Sequence, residues 1–230
     1  MSGSRDYAAS RKRAVEALID EGILKHENVI AAMMKVQREE FLPPEARQFA
    51  YVDSPISIGF GQTTSALHMT AMFCEYGELS VGQRVMEVGG GCGYMSAVYA
   101  EVVAPLTEPK DRWGHVWSAE IIPELAEVGR KHLERLGYSE RVTFVCKDAS
   151  GGFEGEERFD VIIVTSAAPT VPAPLIDQLK PEGTLVIPVG EPHVYQELLR
   201  IRRKIDGTLS HEELGGVAFV PMRGKHGWTK

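Results

Sequence analysis

The chain has only three cysteines (Cys74, Cys92 and Cys146), no Cys-x-x-Cys pair, no long apolar run and no excess of positive charge. An odd cysteine count without ligand spacing argues against both a disulfide scaffold and a structural zinc site. The histidines, His193, His211 and His226 among them, show no metal-ligand spacing either, so no metal is expected. No apolar stretch approaches the ~20 residues of a membrane-spanning helix, so no membrane partner is expected. The opening MSGSRDYAASRKR carries charge but no apolar segment behind it, which leaves the cytoplasm as the expected address. A net charge of −7 and a pI near 5.6 weigh against nucleic acid, whose binding draws on clustered Lys and Arg. The nearest basic run, RIRRK at 200–204, suits a solvated strand edge as well as a patch.

What is present is the composition of a globular protein, 43% hydrophobic and 25% charged over 230 residues. Such a length buries a sizeable core without covalent staples. Val15, Leu18 and Ile19 recur at helical spacing before a stop at Gly22, and Val29, Ile30, Met33, Met34 and Val36 repeat the pattern up to Pro43-Pro44. Residues 51–64 lack periodicity and read as an extended loop; Leu67–Tyr76 returns to helix. From residue 84 strands alternate with helices: RVMEV, HVWSAE, RVTFVCK, FDVIIVT and TLVIPVG. The near-continuous apolar runs VIIV and LVIPV predict strands covered on both faces, and the alternation predicts a doubly wound α/β sheet. The tail, ELLRIRRKI then DGTLS then GGVAFVP, reads as two antiparallel strands joined by a turn. The expected organisation is residues 1–80 as helices and a loop packed on a main domain of residues 81–230, one structural unit.

The most informative segment is Glu87-Val88-Gly89-Gly90-Gly91-Cys92-Gly93, which follows the first sheet strand and opens a helix. Doubly wound sheets bind nucleotides at this place, and glycines let the backbone approach a ligand closely. A second acid, Glu120, closes the next strand, where a carboxylate can accept from ribose hydroxyls. The spelling differs from the G-x-G-x-x-G dinucleotide fingerprint. An acid ahead of the loop favours a cationic ligand over a pyrophosphate and looks like the S-adenosylmethionine-dependent methyltransferases. Cys92 reads as a packing residue. Asp148, at the end of RVTFVCK, fits either an adenine-side acid or a plain turn former.

The stretch IGFGQTTSALHM at 58–69 is unusually polar between apolar helices. Ser65 fits a helix N-cap or part of an anion site, since helix N-termini attract carboxylates; the two roles are compatible. His68, on the flank of that helix, reads as packing or as a further site residue.

The order of segments resembles the protein-L-isoaspartate (D-aspartate) O-methyltransferase family. The matching stretches are VQREEFLPPEARQFAYVDSPISIGFGQTTSALHMTA, VMEVGGGCGYMSA, FDVIIVTSAAPTVPAPLIDQLKPEGTLVIPVG and GGVAFVPMRG. The resemblance implies a class I S-adenosylmethionine-dependent methyltransferase fold, Rossmann-like, with an N-terminal helical extension and a rearranged antiparallel C-terminal strand pair. It implies methyl transfer from S-adenosylmethionine, leaving S-adenosylhomocysteine, to the α-carboxylate of L-isoaspartyl residues in damaged proteins or peptides. By position, Ser65 matches the active-site serine. Gln62, Thr63, Thr64 and His68 match the substrate loop, and Thr165, Ala167 and Pro169 a loop closing over the substrate backbone. Glu87, Gly89, Gly91, Gly93, Glu120, Ile121, Asp148 and Ala149 match cofactor contacts. A carboxylate is ionised at neutral pH, so Ser65 is expected to orient it and not to act as a nucleophile. A monomer acting on a peptide or protein partner is expected.

This sequence departs from the family at Thr64, Leu67, Gly90 and Ala149, and carries a polar insert at residues 105–114. Two other readings stay open: a carboxyl methyltransferase dedicated to one peptide, and a non-catalytic binding module of the same fold.

Overall fold

The computed structural model describes residues 6–155, 158–192 and 194–228; residues 1–5, 156–157, His193 and the last two residues lie outside them. Two helices open the chain, α1 (Tyr7–Asp20) and α2 (Glu27–Lys35). A hairpin follows, β1 (Ile56–Gly59) and β2 (Gln62–Thr64), then α3 (Leu67–Gly77). The alternating region runs β3 (Arg84–Val88), α4 (Tyr94–Val103), β4 (His115–Glu120), α5 (Pro123–Arg135), β5 (Val142–Cys146), β6 (Phe159–Val164), α6 (Ala173–Asp177) and β7 (Leu179–Gly190). It closes with β8 (Gln196–Arg203) and β9 (Leu209–Val217).

Seven strands form one sheet in the order β5-β4-β3-β6-β7-β8-β9. The first five are parallel, while β8 and β9 pair antiparallel. Alternation along the strands feeds two cores. Val85, Val161, Ile163 and Val186 pack with the N-terminal helices, α4 and α5. Met86, Val88, Ile162, Val164, Leu185 and Ile187 pack on the other face with Leu175 of α6 and with Phe153. The strand order reverses at β3, which has β4 on one side and β6 on the other, and ligand crevices of open α/β sheets lie at that point. Glycine-rich residues 89–93 leave β3 there, and Thr165 leaves β6 beside them.

Several local expectations change. Residues 51–64 are not one open loop: β1 and β2 pair through a Phe60-Gly61 turn, both residues at positive φ. The second helix ends at Lys35, and a 3-10 turn over Arg38–Phe41 follows before the prolines. Ile19 is 37% exposed, outside the core stripe. The last strand is 209–217 and not 215–221; Pro221 instead bridges Ala167. The RIRRK run is not a sheet edge, because β8 lies between β7 and β9, and Arg200 and Arg202 pair with Glu78, Arg200 also with Glu212.

Candidate functional site

The glycine loop needs its glycines. Gly89, Gly91 and Gly93 have φ of 100°, 53° and 87°, values that favour glycine. A Cβ on Gly89 would strike Thr165 Oγ1, and one on Gly90 would strike Ser118 Oγ. Gly90, a departure from the family spelling, is thus a close-packed position. The Thr165 hydroxyl donates to Gly89 O (2.6 Å) and Val88 O (3.1 Å), tying β6 to the loop.

Two acids frame this loop. Glu87 is fully buried; Oε2 accepts from Ser118 Oγ (2.6 Å) and from Ser96 Oγ, while Oε1 has no partner. Burial pushes its carboxyl up to about 7, against the pull of the two serines, and Glu120 pushes the same way. Glu120 is 6% exposed; Oε2 accepts from Gly91 N (3.0 Å) and Oε1 from Ile122 N (2.9 Å). A carboxylate has about four acceptor sites, so Glu120 retains capacity for hydroxyl donors. A lone buried Glu87 oxygen beside a glycine cradle suits a cationic amino-acid moiety, and Glu120 suits a ribose.

The hairpin covers this cradle. Ile58 of β1 reaches within 3.2 Å of where a Gly91 Cβ would stand. One cavity of about 60 Å³ is lined by Ile58, Gln62, Thr63, Glu120, Ile121 and Thr165, with Arg223 at its rim. A second, of about 30 Å³, lies among Thr63, Thr64, Ser65, Glu87, Cys92 and Tyr94. Each is small beside the about 300–1,000 Å³ of a typical ligand site. Burial pushes the Cys92 thiol up, in keeping with packing.

Ser65 does not cap α3. The N-cap is Ala66, without a side-chain hydrogen bond, and the helix start is served by Asp53, whose Oδ1 accepts from His68 N (2.9 Å). The His68 ring also meets Asp53, at 2.9 Å, so the sequence assigns His68 to the loop but the structure turns it to Asp53.

The C-terminal segment straps across the ends of β5 and β6. Ala167 donates to Val220 O (2.9 Å), and its own carbonyl accepts from Met222 N (2.8 Å) and Trp228 Nε1 (3.1 Å). Asp148 accepts from Ser150 N (2.9 Å) and Lys225 N (2.7 Å). Asp148, Ala149, His68, Ala167 and Pro169 therefore do not line the two cavities, whereas Gln62, Thr63, Thr64, Ser65, Glu87, Gly89, Gly91, Glu120, Ile121 and Thr165 do. Gly93, just behind, packs on Leu133 and Gly129 O.

Sequence reading missed Ile58, Gly129, the two serines that hold Glu87, and Arg38. Arg38 is completely buried and donates from Nη2 to Ser65 O (2.8 Å). Its only signal was a cation in VQREEF, a segment whose other face is apolar.

The family profile described as Protein-L-isoaspartate(D-aspartate) O-methyltransferase matches residues 9–227. The chain is 49% identical over 224 residues to the protein-L-isoaspartate O-methyltransferase of Hyperthermus butylicus, covering 97% of this chain and 92% of that one. To that of Pyrococcus horikoshii it is 45% identical over 230 residues, the whole of both. A solved protein-L-isoaspartate O-methyltransferase superposes with a TM-score of 0.82 at 30% identity, over 94% of this chain and 67% of the other. A Plasmodium falciparum structure of the same description, in complex with S-adenosyl-L-homocysteine, gives 0.79 at 27%, over 91% and 96%.

Proposed function

The chain belongs to the protein-L-isoaspartate(D-aspartate) O-methyltransferase family, and from that premise we propose that its methyl transfer takes place in the cleft between the glycine loop and residues 62–65. The enzyme methylates L-isoaspartyl residues of damaged proteins or peptides, with S-adenosylmethionine as methyl donor. The cofactor supplies an electrophilic methyl group on a sulfonium, and the isoaspartyl α-carboxylate is the acceptor.

The observation that carries the site is the meeting of Thr63, Ser65, Glu87, Gly89 and Gly91 around one small cavity. Glu87 and the glycine cradle hold the amino-acid end of the cofactor, while Glu120 and Ile121 take the ribose side. Thr63 and Ser65 present neutral hydroxyls to the acceptor carboxylate and fix its approach; no base is needed for a group already ionised. Orientation of this kind is worth roughly 7–11 kcal/mol in well-aligned systems. Ile58 and Thr165 close the sides and exclude water. Gln62, Thr64 and Thr165 border the substrate backbone, whereas His68, held by Asp53, and Asp148 and Ala167, engaged by the C-terminal strap, lie outside the cleft in this structure.

A monomer is the proposed working unit. Three free cysteines support a reducing compartment such as the cytoplasm. Among the described residues no helix is long and apolar enough to cross a membrane. Breadth of substrate is tested by incubating the enzyme and labelled donor with an aged protein mixture and its fresh counterpart. General repair predicts label on many aged proteins and little on fresh ones; label on a single species in both would point to a dedicated peptide.

A further inference from the structure

Arg38 is the least expected side chain in the molecule: an arginine with 0% exposure, inside a core otherwise filled by Phe41, Met33 and Tyr94. It makes no ion pair among the described residues. Nε and Nη1 have no hydrogen-bond partner, the guanidinium sits 5.3 Å from the Tyr94 ring centre, and Nη2 is given to Ser65 O. Arginine does not lose its proton in proteins, so a permanent positive charge stands unpaired in the interior. An isolated buried charge is costly, and nothing about packing calls for one here.

Its position gives it a task. Ser65, Cys92 and Tyr94 line the inner cavity, and Arg38 lies directly behind them. Two buried carboxylates, Glu87 and Glu120, already border the cleft, and the acceptor brings a third negative charge. The peptide is planar and trans, so with Ser65 O pinned toward Arg38 the Ala66 N–H faces the opposite way. That amide is the N-cap N–H of α3, at the helix start where N–H groups lack intrahelical partners.

We propose, resting on the methyltransferase reading above, that Arg38 is a positioning residue for the methyl acceptor. It clamps the Ser65–Ala66 peptide and supplies, from behind the wall, the positive charge that balances the incoming carboxylate. A low-polarity interior transmits that charge better than water does. The backbone N–H of Arg38 donates to Tyr51 Oη (3.2 Å), and Tyr51 donates to Glu39, so the turn carrying the clamp is itself fixed.

The test compares wild type with Arg38→Met, which keeps volume without charge, and Arg38→Lys, which keeps charge without the fork. Three quantities are read: KM and kcat on a short isoaspartyl peptide, Kd for S-adenosylhomocysteine, and amide exchange of residues 62–68. Arg38→Met is expected to lower kcat/KM at least thirtyfold, mainly through KM. Cofactor Kd should stay within threefold, and exchange of 62–68 should quicken at least tenfold. Arg38→Lys should recover KM to within fivefold of wild type while exchange stays fast. Unchanged KM in Arg38→Met, or equal losses in both variants with parallel loss of cofactor affinity, would overturn the proposal. If wild type itself fails to methylate the peptide, the enzyme reading falls, and unchanged exchange in Arg38→Met then overturns the clamp as well. Should Arg38→Met not fold, unchanged exchange in Arg38→Lys overturns it.

Discussion

At the scale of single residues, the site divides into groups that hold charge and groups that orient it. Ser65 orients: it lines the inner cavity and is not used to cap α3. Ser65→Ala should leave cofactor Kd unchanged and lower kcat/KM roughly 10- to 100-fold, the worth of a hydrogen bond to a charged group. Titration calorimetry with S-adenosylhomocysteine beside steady-state kinetics checks this, and equal loss of both would remove Ser65 from its role. Glu87 holds charge, and its burial has a sign. The unfolded chain ionises this carboxyl near about 4.3, whereas the folded chain does so at about 7. Between those values the folded state holds the extra proton, so stability falls as pH rises through that window and levels off above it. The size is roughly 4 kcal/mol. Glu87→Gln should flatten this fall, leaving the ligand-free variant more stable than wild type at pH 8. It should also abolish the rise in S-adenosylmethionine affinity expected as wild-type Glu87 ionises. Thermal melts and titrations from pH 5 to 9 decide it; parallel curves for the two proteins would contradict the assignment.

At the scale of elements, α5 packs closely on the glycine loop. A Cβ on Gly129 would lie 2.6 Å from Phe144 Cζ and 2.7 Å from Gly91 O. In an exposed helix Gly→Ala gains about 1 kcal/mol; here overpacking of roughly 1–3 kcal/mol should win. Gly129→Ala is therefore expected to lower Tm and weaken cofactor binding together, and a raised Tm with unchanged binding would show that the loop does not depend on α5. Elements with strong periodicity were legible in the sequence. The parallel strands announced themselves through VIIV and LVIPV, and the glycine loop through its position after RVMEV. The β1–β2 hairpin was not legible, because its four- and three-residue strands alternate too briefly to show a period of two. The true end of α2 was hidden as well, since Val36 continues the apolar pattern after the helix has stopped. Arg38 could not be assigned from sequence because its partner is a carbonyl 27 residues away.

For the whole molecule, the candidate site lies at the carboxyl ends of the parallel strands, away from their opposite end. The 105–114 insert lies at that opposite end: its Trp113 Nε1 donates to Pro105 O and Glu108 O, and Gly114 leads directly into the start of β4. Lys110 pairs with Glu140 at the surface, both well exposed. Lys110→Ala should cost less than about 1 kcal/mol and leave KM and cofactor Kd within twofold, as kinetics and melts would show; a changed KM would place the insert in substrate binding. The resemblance carried over most of the cofactor loop, and that part of the site is assembled in space. It could not foresee that the strap to Trp228 engages Asp148 and Ala167, since those contacts join segments 61 to 77 residues apart. The most direct test of the account is transfer of labelled methyl from S-adenosylmethionine to a peptide containing L-isoaspartate, with its aspartyl twin as control. The account predicts a base-labile methyl ester on the isoaspartyl peptide alone, strongly reduced in Ser65→Ala. Cofactor binding without transfer to that peptide, or equal transfer to both peptides, would contradict it.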